Sequence, residues 1–275
     1  MNRNFWTGRH VVVTGGTSGI GHAVTELLLE YGARVSVVAL DDDAARSMTL
    51  RKEAGLRVLG ADVRDPDQVH AALVAARESF GPVDSLITCA GIVKPGYFHE
   101  FTDDDLRRQM DVNYFGTLWA VRAALPDLMA RRGSTITVMS SAAGLLGVFG
   151  YGAYVPSKFA VRGLAEVLRQ EYKPHGITVT AVYPPDVDTP MLAGEQPLKP
   201  PELRALSNGD RPLTAAQVAR ALLEGTETGK ARVIPGASTK AIALAAGAAP
   251  GLLARYMDSL IAKARTRSSM SVGSR

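Results

Sequence analysis

His10-Val11-Val12-Val13-Thr14-Gly15-Gly16-Thr17-Ser18-Gly19-Ile20-Gly21 is the stretch whose reading decides the fold. The β-branched run His10–Thr14 reads as a buried strand. Glycines follow at once, and Ala23, Leu27 and Leu28 then keep a helical period up to Gly32, a residue type that ends helices. Strand, glycine-rich turn and helix start together suit a pyrophosphate. The glycines let backbone approach the phosphates, and the helix N-terminus supplies free N–H groups and positive potential. The spacing here is Gly15-x-x-x-Gly19-x-Gly21, not Gly-x-Gly-x-x-Gly, and a glycine cluster alone also fits a plain tight turn.

Working outward, the pattern recurs. Arg34–Ala39, Val58–Ala61, Ser85–Thr88, Ser134–Met139, Thr178–Tyr183 and a short Arg232–Ile234 read as strands. Between them Asp65-Pro66 starts a helix to about Phe80, and Thr102 caps a long helix that carries Asn113 toward Arg131. A helix from Tyr154 to about Lys173 places Phe159, Leu164 and Leu168 on its apolar face. Thr214-x-x-Gln217 is a capping box. Asp41-Asp42-Asp43 after the second strand suits an N-cap or a ribose contact. Strands alternating with helices predict an α/β fold: a doubly wound parallel sheet of about seven strands with helices on both faces. Ligands bind such sheets at the strands' carboxyl ends, where Gly15–Gly21, Asp62, Cys89–Gly91, Ser141 and Pro184 onward all fall. From Pro184 to Pro212 the prolines predict irregular structure, read as a mobile lid.

The 275 residues are 46% hydrophobic and 21% charged with a net charge of +4, an ordinary composition for one large globular domain. No apolar run reaches the length of a membrane span, and Met1–Trp6 lacks a signal-peptide core, so a cytoplasmic protein is expected. Cys89 is the single cysteine, which excludes an internal disulfide. With no basic stripe interleaved with aromatics, nucleic acid is not expected as a partner.

Tyr154 and Lys158 stand four residues apart, one helical turn, on one face. An ammonium beside a phenol favours the phenolate and tunes the tyrosine for proton transfer. Ser141 lies upstream at the end of the fifth strand, where its hydroxyl can reach the same substrate oxygen.

These residues together resemble the short-chain dehydrogenase/reductase family, over about residues 8 to 235. Thr14-Gly15-x-x-x-Gly19-x-Gly21 matches the family's cofactor turn, and Asp62-Val63 its adenine contact. Cys89-Ala90-Gly91 stands where Asn-Ala-Gly is usual. Asn113, Ser141, Tyr154 and Lys158 match its catalytic tetrad. The resemblance implies a single Rossmann-type domain over 1–240, with the lid at 184–212, and a C-terminal extension over 241–275. It implies cofactor contacts from Gly15, Thr17, Ser18, Gly19, Ile20, Gly21, Leu40, Asp62, Val63, Cys89, Ala90, Gly91, Tyr154, Lys158, Pro184, Val187 and Thr189, with no metal.

It also implies roles. Tyr154 protonates a carbonyl oxygen, Ser141 orients it, Lys158 tunes the tyrosine and holds the nicotinamide ribose, and Asn113 keeps a water chain to Lys158. Ala39-Leu40, without an acidic residue at the end of strand two, favours NADPH over NADH. Tyr183-Pro184-Pro185-Asp186-Val187-Asp188-Thr189-Pro190 departs from the usual Pro-Gly and, with Ser157–Glu166, resembles the family's lipid and steroid reductases. A 3-oxoacyl-thioester reductase, a hydroxysteroid-type dehydrogenase and a non-catalytic nucleotide-binding scaffold are the alternatives. The family further implies a homodimer or homotetramer.

Ala241–Ala254 is apolar, and Leu253, Tyr256, Met257, Leu260 and Ile261 form a stripe with Arg255, Lys263 and Arg265 off it. Such a helix suits a lipophilic keto substrate drawn from a membrane surface. It equally suits packing on the enzyme's own core or on a partner subunit.

Overall fold

The computed structural model describes residues 3–40, 55–207 and 211–272. Among these, the strands are β1 (His10–Thr14), β2 (Arg34–Ala39), β3 (Leu56–Gly60), β4 (Ser85–Thr88), β5 (Thr135–Met139), β6 (Thr178–Val182), β7 (Val187–Asp188), β8 (Leu213–Thr214) and β9 (Arg232–Val233). Seven make one parallel sheet in the order β3-β2-β1-β4-β5-β6-β9, while β7 and β8 pair separately. Val12 of β1 stands between Ser36 of β2 and Leu86 of β4, so the chain order reverses at β1 and opens a crevice there.

Strand side chains alternate between faces, and every residue of β1 is buried. Val12, Val38, Leu86 and Ile136 pack on one side with Leu73, Leu128 and Val161 of the helices Pro66–Phe80, Gly116–Ala130 and Tyr154–Tyr172. Val11, Val13, Val37 and Val182 pack on the other with Leu28 and Leu222 of the helices Gly19–Glu30 and Ala215–Glu227. Two covered faces are what near-continuous apolar strands require. The caps are as the sequence predicts. Asp65 accepts hydrogen bonds from Asp67 and Gln68 N–H groups, and Thr102 and Thr214 form capping boxes with Asp105 and Gln217.

Several boundaries and faces differ. The third strand is Leu56–Gly60, two residues before the expected start. Asp41–Asp43 lie outside the described residues. The single helix expected after Thr102 is Asp103–Met110, a wider π-turn over Asp111–Phe115, and Gly116–Ala130. Asn113 sits in that turn, and the Thr117 hydroxyl donates to its carbonyl at 2.8 Å, compensating for the disrupted ladder. Phe159, expected on the apolar face, is exposed. The inward face of its helix is instead Ser157, Lys158, Val161, Ala165 and Leu168. The helix is turned so that its polar pair faces the sheet's carboxyl edge.

The proline-rich stretch after β6 is not irregular. Thr189 caps a helix Pro190–Glu195, and another helix covers Pro201–Ser207. Each begins with a proline at its first position, where the missing N–H costs nothing. Pro250 plays the same part between helices Ala237–Ala248 and Pro250–Val272. The last helix packs against Pro201–Ser207. Arg265 Nε donates to Glu202 Oε1 at 3.0 Å, and Tyr97 Oη donates to Glu202 Oε2 at 3.1 Å. Among the described residues no helix is long and apolar enough to cross a membrane.

Candidate active site

The carboxyl ends of the central strands open onto one cavity of about 930 Å³. Each of the cofactor candidates named from the sequence lines it, from Gly15 to Thr189. The turn after β1 needs its glycines. Gly15 has φ +67°, and a Cβ there would lie 2.6 Å from the Ala90 nitrogen, while a Cβ on Gly21 would lie 2.1 Å from the Gly15 oxygen. With the helix starting at Gly19, this leaves a backbone cradle suited to phosphate oxygens. At the far end, Asp62 accepts two bonds from Arg64 Nε at 2.8 and 3.0 Å, which hold its carboxyl below the usual range. Leu40 is exposed beside it, and Arg64 and Arg108 complete this end of the cavity.

Ser141, Tyr154 and Lys158 line the same cavity nearer its centre. Ser141 leaves β5 in extended backbone, and its Oγ accepts from the Ala143 N–H at 3.1 Å. Part of the Tyr154 ring opens to the cavity. Desolvation pushes the Tyr154 phenol up, a hydrogen bond with Ser141 opposes this, and the carboxylates of Glu195 and Asp186 reinforce it. Lys158 Nζ lies 5.5 Å from the Tyr154 ring centre and donates to the Met139 carbonyl at 3.0 Å. Burial lowers its pKa to about 8. In this geometry desolvation outweighs the expected ammonium effect on the phenol, because the Lys158 amine is turned to a backbone carbonyl.

Asn113 is buried one layer behind the cavity wall. Its amide exchanges hydrogen bonds with the Ile92 backbone, at 2.8 Å for Oδ1 and 3.0 Å for Nδ2. Nδ2 also donates to Ser157 Oγ at 2.9 Å, and Ser157 donates to the Tyr154 carbonyl at 2.7 Å. Asn113 therefore ties the strand-four loop to the first turn of the Tyr154 helix. Gly91 separates it from Lys158: a Cβ on Gly91 would stand 3.1 Å from Asn113 Oδ1 and 3.5 Å from Lys158 Nζ. Burial pushes the Cys89 thiol up to about 12, so it stays a neutral, packed side chain at neutral pH.

Sequence reasoning missed the opposite wall. Tyr151, Asp186 and Glu195 line the cavity beside Tyr154, and Leu253, Tyr256, Met257 and Leu260 of the last helix close its far side. The C-terminal stripe thus faces the site. The stripe's spacing was visible in the sequence, but its target was not. Glu195 carried no signal, because its helix was not expected.

The short chain dehydrogenase family model matches residues 9–199. The chain belongs to that family, and is an NAD(P)H-dependent oxidoreductase acting on keto or hydroxyl groups. The relatives are more particular. A 3-dehydrosphinganine reductase of Danio rerio is 39% identical over 81% of this chain and 69% of its own length. A 3-ketodihydrosphingosine reductase of Dictyostelium discoideum is 37% identical over 91% of this chain and 80% of its own. The solved short chain dehydrogenase from Burkholderia cenocepacia J2315, in complex with NADP, superposes with a TM-score of 0.76 at 26% identity over 92% of this chain and 98% of that one.

Proposed function

We propose that this chain reduces the keto group of 3-ketodihydrosphingosine, a long-chain amino ketone, to the alcohol, using NADPH. The observation that carries the reading is one continuous cavity. It runs from the glycine turn past Tyr154 to the apolar wall of Leu253, Met257 and Leu260, in a chain whose relatives bear that reductase's name. Gly15–Gly21, Leu40, Asp62-Val63 and Cys89–Gly91 would hold the dinucleotide, and Pro184, Val187 and Thr189 would hold its nicotinamide end. When bound, it supplies a hydride. Tyr154 donates its phenolic proton to the carbonyl oxygen, where negative charge develops, and Ser141 hydrogen-bonds the same oxygen. Lys158, whose Nζ lies 5.5 Å from the Tyr154 ring centre, would hold the nicotinamide ribose with its ammonium. Asn113 holds the loop and helix that frame them.

The preference for NADPH rests on the end of β2, where Ala39 and Leu40 offer no carboxylate to repel a 2′-phosphate. Asp41 lies outside the described residues. A homodimer or homotetramer fits the apolar Phe159 and Val167, exposed on the Tyr154–Tyr172 helix. Peripheral contact with lipid fits the exposed Leu244 and Leu252, the latter on the helix that also carries exposed Arg255 and Lys263. In this reading residues 1–240 carry the chemistry, with the lid at 184–212, and 241–275 deliver and enclose the chain of the substrate.

NADPH oxidation with 3-ketodihydrosphingosine, an acetoacetyl thioester and a ketosteroid tests the reading, with kcat/KM compared between NADPH and NADH. The sphingoid ketone should be preferred with NADPH. Higher kcat/KM on the thioester or steroid moves the enzyme to that substrate class, a clear NADH preference overturns the cofactor reading, and no oxidation with any ketone leaves a nucleotide-binding scaffold.

A further inference from the structure

Beside the Tyr154 phenol lies a buried polar network that proton donation does not use. Tyr151 Oη donates to Glu195 Oε2 at 3.0 Å, and the Tyr151 ring centre is 5.5 Å from that of Tyr154. Glu195 Oε1 is 2.9 Å from Lys199 Nζ, which also donates to Asp186 Oδ2 at 3.3 Å. The Lys199 side chain has no exposed surface and that of Glu195 has 6%, whereas Asp186 keeps 38%. Tyr151, Glu195 and Asp186 face the cavity.

Burial raises the Glu195 carboxyl, and its bonds to Lys199 and Tyr151 oppose this in part. When both carboxylates are ionised, the one buried lysine leaves them a net charge of −1. Burying charge without a full counter-charge is costly, and apolar residues would hold the lid as well or better. An uncompensated charge on the wall of the reacting centre therefore selects for what enters. Lys158 also lines the cavity, and it is bonded to the Met139 carbonyl. Arg211 lies at the exposed rim.

We propose that Asp186 and Glu195 form a cation-binding subsite for a protonated amino group on the carbon next to the carbonyl being reduced. The inference rests on the proposed function, which places that carbonyl against Tyr154 and Ser141. An ammonium on the adjacent carbon then falls within a few ångströms of the phenol, in the cavity that Asp186 and Glu195 also line. Half-exposed Asp186 meets it directly. Glu195, fixed by Tyr151 and Lys199, supplies the second charge from behind. One ammonium cancels the network's single net charge. A thioester or a steroid ketone, neutral next to its carbonyl, leaves it unpaired, so the subsite discriminates by penalty as well as by attraction. Desolvation raises the Tyr154 phenol, and the two carboxylates add to this in the same direction, toward the protonated form a reductase needs in order to donate.

The test compares 3-ketodihydrosphingosine with the ketone of the same chain length and 1-hydroxyl but no amino group. Both are presented in the same detergent micelles with NADPH. The wild type should favour the amino ketone by about tenfold or more in kcat/KM, the scale of one close charge pair. Asp186→Asn should raise KM for the amino ketone about tenfold and erase most of that preference, and Glu195→Gln should act in the same direction. NADPH affinity, read by fluorescence, should change less than about twofold in Asp186→Asn, which keeps the side chain's size. If the wild type reduces both ketones equally well, or if the variants lose both equally, the subsite is overturned while the reductase reading stands. If the wild type reduces neither ketone, the substrate reading fails and the subsite falls with it. Should Glu195→Gln not fold, the half-exposed Asp186→Asn decides alone.

Discussion

Tyr154 is placed by two neighbours rather than by one. Ser141 reaches its phenol from β5, and the Asn113–Ser157 pair fixes the first turn of its helix. Tyr154→Phe removes only the hydroxyl, so turnover should be abolished while NADPH binding stays nearly intact. Retention of more than about a tenth of kcat, a loss under about 1.4 kcal/mol, removes the proton-donor role. Lys158→Ala should damage both turnover and binding. With its pKa near 8, Lys158 is charged below that pH and loses its charge above it. Affinity for the anionic cofactor should therefore weaken as pH rises through about 8 in the wild type, and a titration of Lys158→Met should lack this step. A backbone position gives a sharper test. Gly21→Ala sets a Cβ into the Gly15 carbonyl, and neither backbone can retreat without opening the turn. NADPH binding should be lost by calorimetry, with stability lowered by about 1–3 kcal/mol. Unchanged affinity would mean that the turn is not the phosphate cradle.

At the level of elements, what the sequence disclosed was whatever is local. β1 and its turn are contiguous, and Ser141, Tyr154 and Lys158 belong to a strand end and the helix that follows it. Their spacing therefore carried their geometry. The Tyr151–Glu195–Lys199–Asp186 network draws on three separate segments, and no spacing rule joins them. The prolines after β6 were misread because a helix-breaking proline and a first-turn proline look the same in sequence. Only the packing of the last helix on Pro201–Ser207 shows which applies here. That packing makes the C-terminal helix part of the substrate wall, pinned through Arg265 and Glu202. Truncation before Ala241 should cut kcat/KM on long-chain ketones at least about tenfold, since several buried methylenes at about 0.8 kcal/mol each are at stake. Activity on short soluble ketones should fall much less. Equal losses on both chain lengths would leave the segment a structural or oligomer element. Sedimentation of the full chain with anionic vesicles separates lipid contact from either role.

Across the whole molecule, the sheet must hold its carboxyl edge in register so that the residues at and after its strand ends meet in one cavity, and a histidine at the opposite edge helps. His10 opens β1 and is fully buried. Its Nδ1–H donates to the Gly81 carbonyl at 2.7 Å, its Nε2 accepts from the Ser36 hydroxyl at 2.8 Å, and its backbone N–H donates to Asp84 at 2.8 Å. The ring thereby joins β1 to β2 and to the entry of β4 in one tautomer. Burial lowers its pKa below 6.5, the backbone hydrogen bonds and Asp84 opposing this only in part. The sign follows from proton counts. Between the depressed native pKa and the unfolded value near 6.5, the unfolded chain binds the extra proton, so stability rises with pH. The contribution is complete above about pH 6.5 and is lost as pH falls from there toward the native pKa, at about 1.4 kcal/mol per unit of depression. Urea unfolding between pH 7.5 and 5 should show this decline in the wild type. His10→Gln should be less stable at pH 7.5 by about 1–3 kcal/mol, having lost buried hydrogen bonds. Its stability should also fall less steeply over the same range. A variant with the full wild-type slope would place the pH sensitivity elsewhere and reduce His10 to a packing role.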